Sequence, residues 1–212
     1  MEGTDAAGKG GFIRRLISNM DPRGYRVYPI GAPSADELSR HYLQRFWRRI
    51  PQQGQLAIFD RSWYGRVLIE RVENLTPEKD WQRAFRELNE FEKLLTDDGI
   101  ILVKLFFTID KQEQLKRFIQ RFEHPNKRWK ITEADIKSRE YWDGYQAAYQ
   151  EMLERTSTEY AHRHVIAGND KYHARIAAMQ ALRDALGREI DISQIELIPA
   201  DLEKRIKGVL YD

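Results

Sequence analysis

Met1-Glu2-Gly3-Thr4-Asp5-Ala6-Ala7-Gly8-Lys9-Gly10-Gly11 is the stretch from which the rest of the chain is read. From Gly3 to Lys9 it has the spacing G-x-x-x-x-G-K of a P-loop, a turn whose backbone N–H groups close around a phosphate. Gly3, Ala7, Gly8, Gly10 and Gly11 carry almost no side chain, so the backbone can approach an anion closely there. Lys9 adds a charge able to reach the outer phosphates. The helix that opens after it, through Phe12, Ile13, Leu16 and Ile17, presents its positive end to the same point. The motif ordinarily ends in Ser or Thr, whose hydroxyl meets Mg2+, and here Gly10 stands in that place. A metal would then need another oxygen donor, and Asp5 inside the loop is the candidate. A P-loop also normally follows a buried strand. Only Met1 and Glu2 precede Gly3, so the first strand is expected to be truncated or supplied by another segment.

Outward from this loop the chain alternates strands and helices. Tyr25 to Ile30 reads as a short strand, and Ser34 caps a helix from about Ala35 to Arg49 that points Leu38, Tyr42, Leu43, Phe46 and Trp47 at the core. Gln55 to Asp60 is a buried strand ending in an acid, and Tyr64 to Val72 a short helix. Thr76-Pro77 opens a longer helix, Thr as cap and Pro at the first helical position, with Trp81, Phe85, Leu88, Phe91, Leu94 and Leu95 on one stripe. Ile100 to Thr108 is the longest apolar run, the pattern of a strand buried on both faces. Asp110 and Glu113 form a capping box for the next helix. A further helix spans about Arg139 to Thr156, His164 to Ala167 is a strand, and Asn169-Asp170 leads into a last helix ending at Gly187. The order predicts an α/β fold of three layers, a parallel sheet flanked by helices. Residues 1–187 form one domain, and residues 188–212 a polar tail of unread role.

A chain of 212 residues is long enough for one such domain with a sizeable core. Its 35 Lys and Arg nearly balance 33 Asp and Glu, leaving +2, which argues against a protein that coats nucleic acid. There is no cysteine, hence no disulfide framework and no thiolate metal site, as suits a cytoplasmic protein. No apolar run approaches the roughly 18 residues of a membrane span, so no membrane partner is expected.

Phe59-Asp60-Arg61-Ser62-Trp63-Tyr64-Gly65-Arg66 is the second informative stretch. A strand that ends in Asp matches the acidic element of P-loop enzymes, whose carboxylate meets Mg2+ or its water shell. The plainer alternative is a surface loop in which Asp60 pairs with Arg61 or caps the next helix. Between Arg117 and Lys137 basic residues crowd together: Arg117, Arg121, Lys127, Arg128, Lys130 and Lys137. They are either a track for a polyanion or a solvated helix end. Trp63, Tyr64, Trp129 and Trp142 read as core or hinge packing ahead of nucleobase stacking. The histidines show no metal-ligand spacing.

Together, GTDAAGKGG and FDRSWYGRVLIERVE resemble the polyphosphate kinase 2 family, P-loop enzymes that move phosphoryl groups between inorganic polyphosphate and nucleotides. The resemblance continues through Phe91-Glu92, KLFFTIDKQEQLKRF, HPNKRWKITEADI, Trp142 and Tyr145, ERTSTEYA, and Asn169-Asp170-Lys171 with Ala174-Arg175. WYGRVLIERVE is most similar to the class that phosphorylates AMP; other classes usually carry Asn where Gly65 stands. Members of that class often hold two fused family domains, and this chain resembles the catalytic C-terminal half. It departs from the family at Ala161-His162-Arg163, where Ala-Pro-Trp is usual.

The resemblance implies a P-loop kinase-like fold with a basic helical lid at about residues 117–139. It implies transfer from polyphosphate to AMP, giving ADP, with Mg2+ (or Mn2+) as cofactor. Asp5 and Asp60 would hold the metal, while Lys9, Arg61 and Arg66 clamp the transferred group. Arg117, Arg121, Lys127, Arg128 and Lys130 would bind the donor's chain. Glu70 and Glu73 either read the acceptor nucleotide or form salt bridges with Arg71. Self-association into a homo-oligomer is the family habit. Two alternatives stand beside this reading: a member directed at nucleoside diphosphates, making ATP, and a polyphosphate-binding module without turnover.

Overall fold

Parallel strands need long crossovers, and the helices that follow the apolar runs supply them. The computed structural model describes residues 1–190 and 199–211. Its strands are β1 (Glu2–Gly3), β2 (Tyr25–Pro29), β3 (Leu56–Asp60), β4 (Lys104–Thr108) and β5 (Arg163–Ala167). They form two parallel ladders, β1-β4-β5 and β2-β3. Two backbone bonds stitch the ladders together: Met1 N donates to Phe59 O at 2.8 Å, and Arg61 N–H donates to Met1 O at 3.0 Å. The spatial order is therefore β2-β3-β1-β4-β5. The expected first strand is Glu2–Gly3 itself, lying at the centre opposite Phe106 and Phe107.

The helices are α1 (Lys9–Ile17), α2 (Ala35–Leu38), α3 (Gln44–Trp47), α4 (Ile69–Val72), α5 (Glu78–Asp97), α6 (Lys111–Glu123), α7 (Glu133–Glu140), α8 (Trp142–Thr156), α9 (Lys171–Glu189) and α10 (Ala200–Tyr211). Side chains alternate across a strand, and β4 shows what that does here. Leu105 and Phe107 pack with Phe12 of α1 and Ala174 and Ala178 of α9. Phe106 faces the other way, into a cluster with Phe85, Leu88 and Phe91 of α5 and Ala148 and Met152 of α8. The sheet thus divides two apolar layers and brings the ends of β1 and β3 out side by side.

Several expected boundaries shift for local reasons. The helix expected over 35–49 breaks into α2 and α3. The capping box of Ser34 and Glu37 forms, but the Ser39 hydroxyl donates back to Asp36 O at 2.8 Å and Leu43 N–H turns to His41 Nδ1 at 3.4 Å. The chain turns there, so Leu43 and Phe46 are buried while Leu38 and Trp47 are exposed. Thr76 does not cap α5, because its hydroxyl meets Arg66 and Glu70; Pro77 takes the cap position. Asp110 caps α6 by accepting Glu113 N–H at 2.7 Å, yet the reciprocal arm is missing, since Glu113 pairs with Arg117. Leu94 of the α5 stripe is exposed, and β4 begins at Lys104, short of the whole apolar run. Of the expected tail, residues 200–211 form α10, while residues 191–198 and 212 lie outside the described residues. No described helix is long and apolar enough to cross a membrane.

Candidate functional site

The P-loop leaves β1 hard against β4. Thr4 N–H donates to Phe107 O at 2.9 Å, and Gly3 has φ 129°, where an added Cβ would lie 1.9 Å from that same oxygen. No other residue fits. Ala6 then adopts the left-handed conformation at φ 64°, and Gly8, at the head of α1, leaves the helix without a side-chain cap. Uncapped N–H groups at a helix start are donors for an anion. Lys9 curls over the loop, its ammonium donating to Gly3 O at 2.6 Å and Thr4 O at 3.0 Å. Burial holds its pKa below the ordinary lysine value; Asp5 pushes it back up and Arg61 down again.

β3 delivers the second edge. After Asp60 the chain turns through Arg61 at φ 63°. That conformation is costly for a residue with a side chain, so the surroundings must hold it. The first two residues do so: Met1 O accepts Arg61 N–H, and the buried Glu2 carboxylate accepts both the N–H (2.6 Å) and hydroxyl (2.8 Å) of Ser62. The turn sends the Arg61 guanidinium back to Asp5 at 3.2 Å. The next two residues enter the core. Trp63 Nε1 and Tyr64 Oη donate to the fully buried Glu92 at 2.9 and 2.6 Å, and Lys104 closes the network at 2.7 Å. Arg163, one of the departures from the family pattern, lies buried with its guanidinium 4.1 Å from the Tyr64 ring centre. Packing, as expected, is what Trp63 and Tyr64 do.

Asp5, Ala6, Lys9, Gly10, Asp60 and Arg61 line one cavity of about 340 Å³, with Pro29 and Ile30 beside them. Its far wall carries Arg121 and Lys130 of the expected lid, joined by Thr132 and Asp135. Asp135 lies 3.5 Å from Arg121 and closes a capping box with Thr132 at the head of α7. That box was legible as Thr132-x-x-Asp135; that it would face the P-loop was not. Glu2, which braces Ser62, had no readable signal at all.

The remaining expected residues lie elsewhere. Arg66 pairs with Glu70 at 2.8 Å and lies over the Tyr42 ring. Glu73 accepts from Tyr145 Oη at 3.1 Å, and Arg71 turns to Glu151 at 2.6 Å, so neither Glu70 nor Glu73 salt-bridges Arg71. Lys127 and Arg128 are exposed outside the cavity, Arg128 donating to Phe122 O at 2.9 Å. Arg117 is buried beneath the loop. No group of three or more His, Cys, Asp or Glu that could hold a metal occurs among the described residues. Three carboxylates line the cavity; Asp135 is engaged by Arg121 and the cap of α7, which leaves Asp5 and Asp60, and Mg2+ is ordinarily held by one or two carboxylates together with substrate phosphates. These residues therefore fit that ion.

A family model described as Polyphosphate kinase 2 (PPK2) matches residues 1–193. The polyphosphate:AMP phosphotransferase of Pseudomonas syringae pv. tomato is 51% identical over 185 residues, 87% of this chain and 37% of that protein. The polyphosphate:AMP phosphotransferase of Acinetobacter johnsonii is 47% identical over 190 residues, 90% of this chain and 40% of that protein. The chain thus spans about two fifths of the length of these relatives. The crystal structure of polyphosphate kinase 2 from Arthrobacter aurescens TC1 shares the fold with a TM-score of 0.88 at 38% identity, covering 98% of this chain and 74% of that one. In sequence and in fold alike, the chain belongs to the polyphosphate kinase 2 family.

Proposed function

We propose that this protein is a Mg2+-dependent phosphotransferase that moves a phosphoryl group from inorganic polyphosphate to AMP, giving ADP. The observation that carries the reading is the convergence of Asp5, Lys9, Asp60 and Arg61, from two adjacent strand ends, on one cavity that Arg121 and Lys130 also line. The names of the two relatives support AMP as acceptor.

Phosphoryl transfer asks little covalent chemistry of a protein; it asks for in-line placement and cancelled charge on the equatorial oxygens. Asp5 and Asp60 would hold Mg2+, which when bound neutralises charge between donor and acceptor oxygens. Lys9 exchanges its carbonyl partners for phosphate oxygens, and the anion favours the charged form that burial disfavours. Arg61 presents a planar fork that binds phosphate bidentately and stays ionised. Arg121 and Lys130 meet phosphates further along the donor, with Lys127 and Arg128 as the track beyond them. Arg66 reaches the transferred group by releasing Glu70, and Glu70 and Glu73 are left to read the acceptor. Closure of the lid excludes water, which competes as an acceptor. A cytoplasmic setting and self-association belong to the same proposal. Incubation with polyphosphate, Mg2+ and, in turn, AMP, GMP and ADP tests it: ADP should form from AMP. Folded protein that makes no ADP from AMP would sink the reading, and ATP formed from ADP alone would move it to a nucleoside-diphosphate acceptor.

A further inference from the structure

Arg117 was expected among the groups that meet the donor's phosphates, yet it is 4% exposed and does not line the cavity. Every arm of it is engaged. Nη1 donates to Ala6 O at 2.9 Å, Nη2 to Gly168 O at 2.7 Å and Asn169 O at 2.9 Å, and Nε to Glu113 at 2.7 Å. The three carbonyls come from the P-loop and from the turn after β5, two places far apart in the chain. The P-loop and this turn are packed closely: a Cβ at Gly168 would lie 3.0 Å from Ala7 O and 2.9 Å from Thr108 O.

We propose that Arg117 is a positioning residue, a latch that holds the P-loop in its phosphate-binding shape and ties that shape to the root of the lid. The proposal rests on reading the cavity as a phosphate site. Ala6 lines that cavity in a left-handed conformation. Such a conformation persists only where the surroundings impose it. Arg117 draws the Ala6 carbonyl oxygen to the far side of the loop, so its negative end does not face an incoming anion. A lysine keeps the charge but cannot reproduce the latch, because a single ammonium lacks the rigid fork that spans separated acceptors.

The same helix makes the connection to the lid. Arg121, one turn beyond Arg117 on α6, lines the cavity and lies 3.5 Å from Asp135. Arg139, at the end of α7, donates to Lys111 O at 2.8 Å in the first turn of α6. Both ends of the basic segment are thus tied to the anchored start of α6, and the part that carries Arg121 and Lys130 lies between these ties. Arg117 sets where that part begins.

The test compares wild type with Arg117→Lys and Arg117→Ala by hydrogen exchange of the Thr4–Gly8 amides and by steady-state kinetics with polyphosphate and AMP. The latch predicts faster exchange confined to the loop in Arg117→Lys. It predicts that kcat/KM for polyphosphate falls by about a hundredfold, as a loop displaced by an ångström would give. KM for AMP stays unchanged, and millimolar guanidinium chloride restores part of the loss in Arg117→Ala. Wild-type exchange and kinetics in Arg117→Lys would overturn the latch. So would a loss spread evenly over both substrates, with exchange raised throughout the chain and no rescue by guanidinium, because that marks general unfolding. If wild type itself turns nothing over, the proposed reaction fails on its own, and the exchange comparison still decides: an unchanged loop in Arg117→Lys refutes the latch.

Discussion

Lys104 and Glu92 place a full pair of charges among aromatic rings, 2.7 Å apart with both side chains almost completely buried. Burial pushes the Lys104 pKa below its ordinary 10.5, and Glu92 pushes it back up. Removing Glu92 leaves an uncompensated buried ammonium and strips Trp63 and Tyr64 of their acceptor. Glu92→Ala should therefore lower unfolding free energy by about 3–5 kcal/mol, read by chemical denaturation. A depressed lysine binds its proton more weakly in the folded state, so stability rises with pH between the folded pKa and the unfolded value of 10.5. With Glu92 gone the depression deepens, and the variant's stability should begin climbing at lower pH than wild type. A loss below about 1 kcal/mol, or no such change in pH profile, would mean the pair is not the brace it looks to be. Single residues were unevenly legible in the sequence. Asp5, Lys9, Asp60 and Arg61 could be placed because short motifs at strand ends leave the backbone few choices. Arg66 and Arg117 could not, since charge alone does not say which way a side chain turns. The partners of Arg117, at Gly168 and Asn169, are about fifty residues away in the chain.

Elements were easier to name than to bound. α6 and α9 both start at an aspartate that their sequences announce. Asp110 accepts Glu113 N–H at 2.7 Å, and Asp170 accepts Tyr172 and His173 N–H at 2.7 and 2.8 Å. Those backbone donors hold both carboxyls below the ordinary aspartate value of 3.8. A depressed carboxylate binds its proton less readily in the folded state. The caps therefore contribute fully above the unfolded pKa and fade as pH falls through the folded one. Asp110→Ala and Asp170→Ala should each lower Tm at neutral pH, and the gap to wild type should shrink on acidification below about pH 4. A gap that stays constant down to pH 2 would contradict the capping role. Where an element depends on distant partners, the sequence is silent. β4 is shorter than the apolar run around it because a strand extends only as far as β1 and β5 pair with it. The helix expected over 35–49 fails because Ser39 and His41 offer the backbone competing hydrogen bonds. β1 has only two residues and no periodicity, so it was expected only because a strand normally precedes a P-loop.

The alternation of apolar runs with amphipathic ones was enough to predict the α/β layers. What it could not supply was the closing contact between ladders, made by Met1 and Arg61, which sets the loop after β1 and the turn after β3 side by side. That contact gives a near-neutral chain a concentrated site: Asp5, Asp60, Lys9 and Arg61 line the cavity together with Arg121, Lys130 and Asp135. Phosphoryl transfer in this cavity is read most directly as ADP formed from polyphosphate and AMP. The assay should be run with Mg2+ and with EDTA, on wild type, Lys9→Ala and Asp60→Asn. Wild type should form ADP in a Mg2+-dependent way, abolished by EDTA and lowered by orders of magnitude in both variants while each stays folded. ADP formation at wild-type rates in either folded variant, or at full rate in EDTA, would contradict Mg2+-dependent transfer at this site.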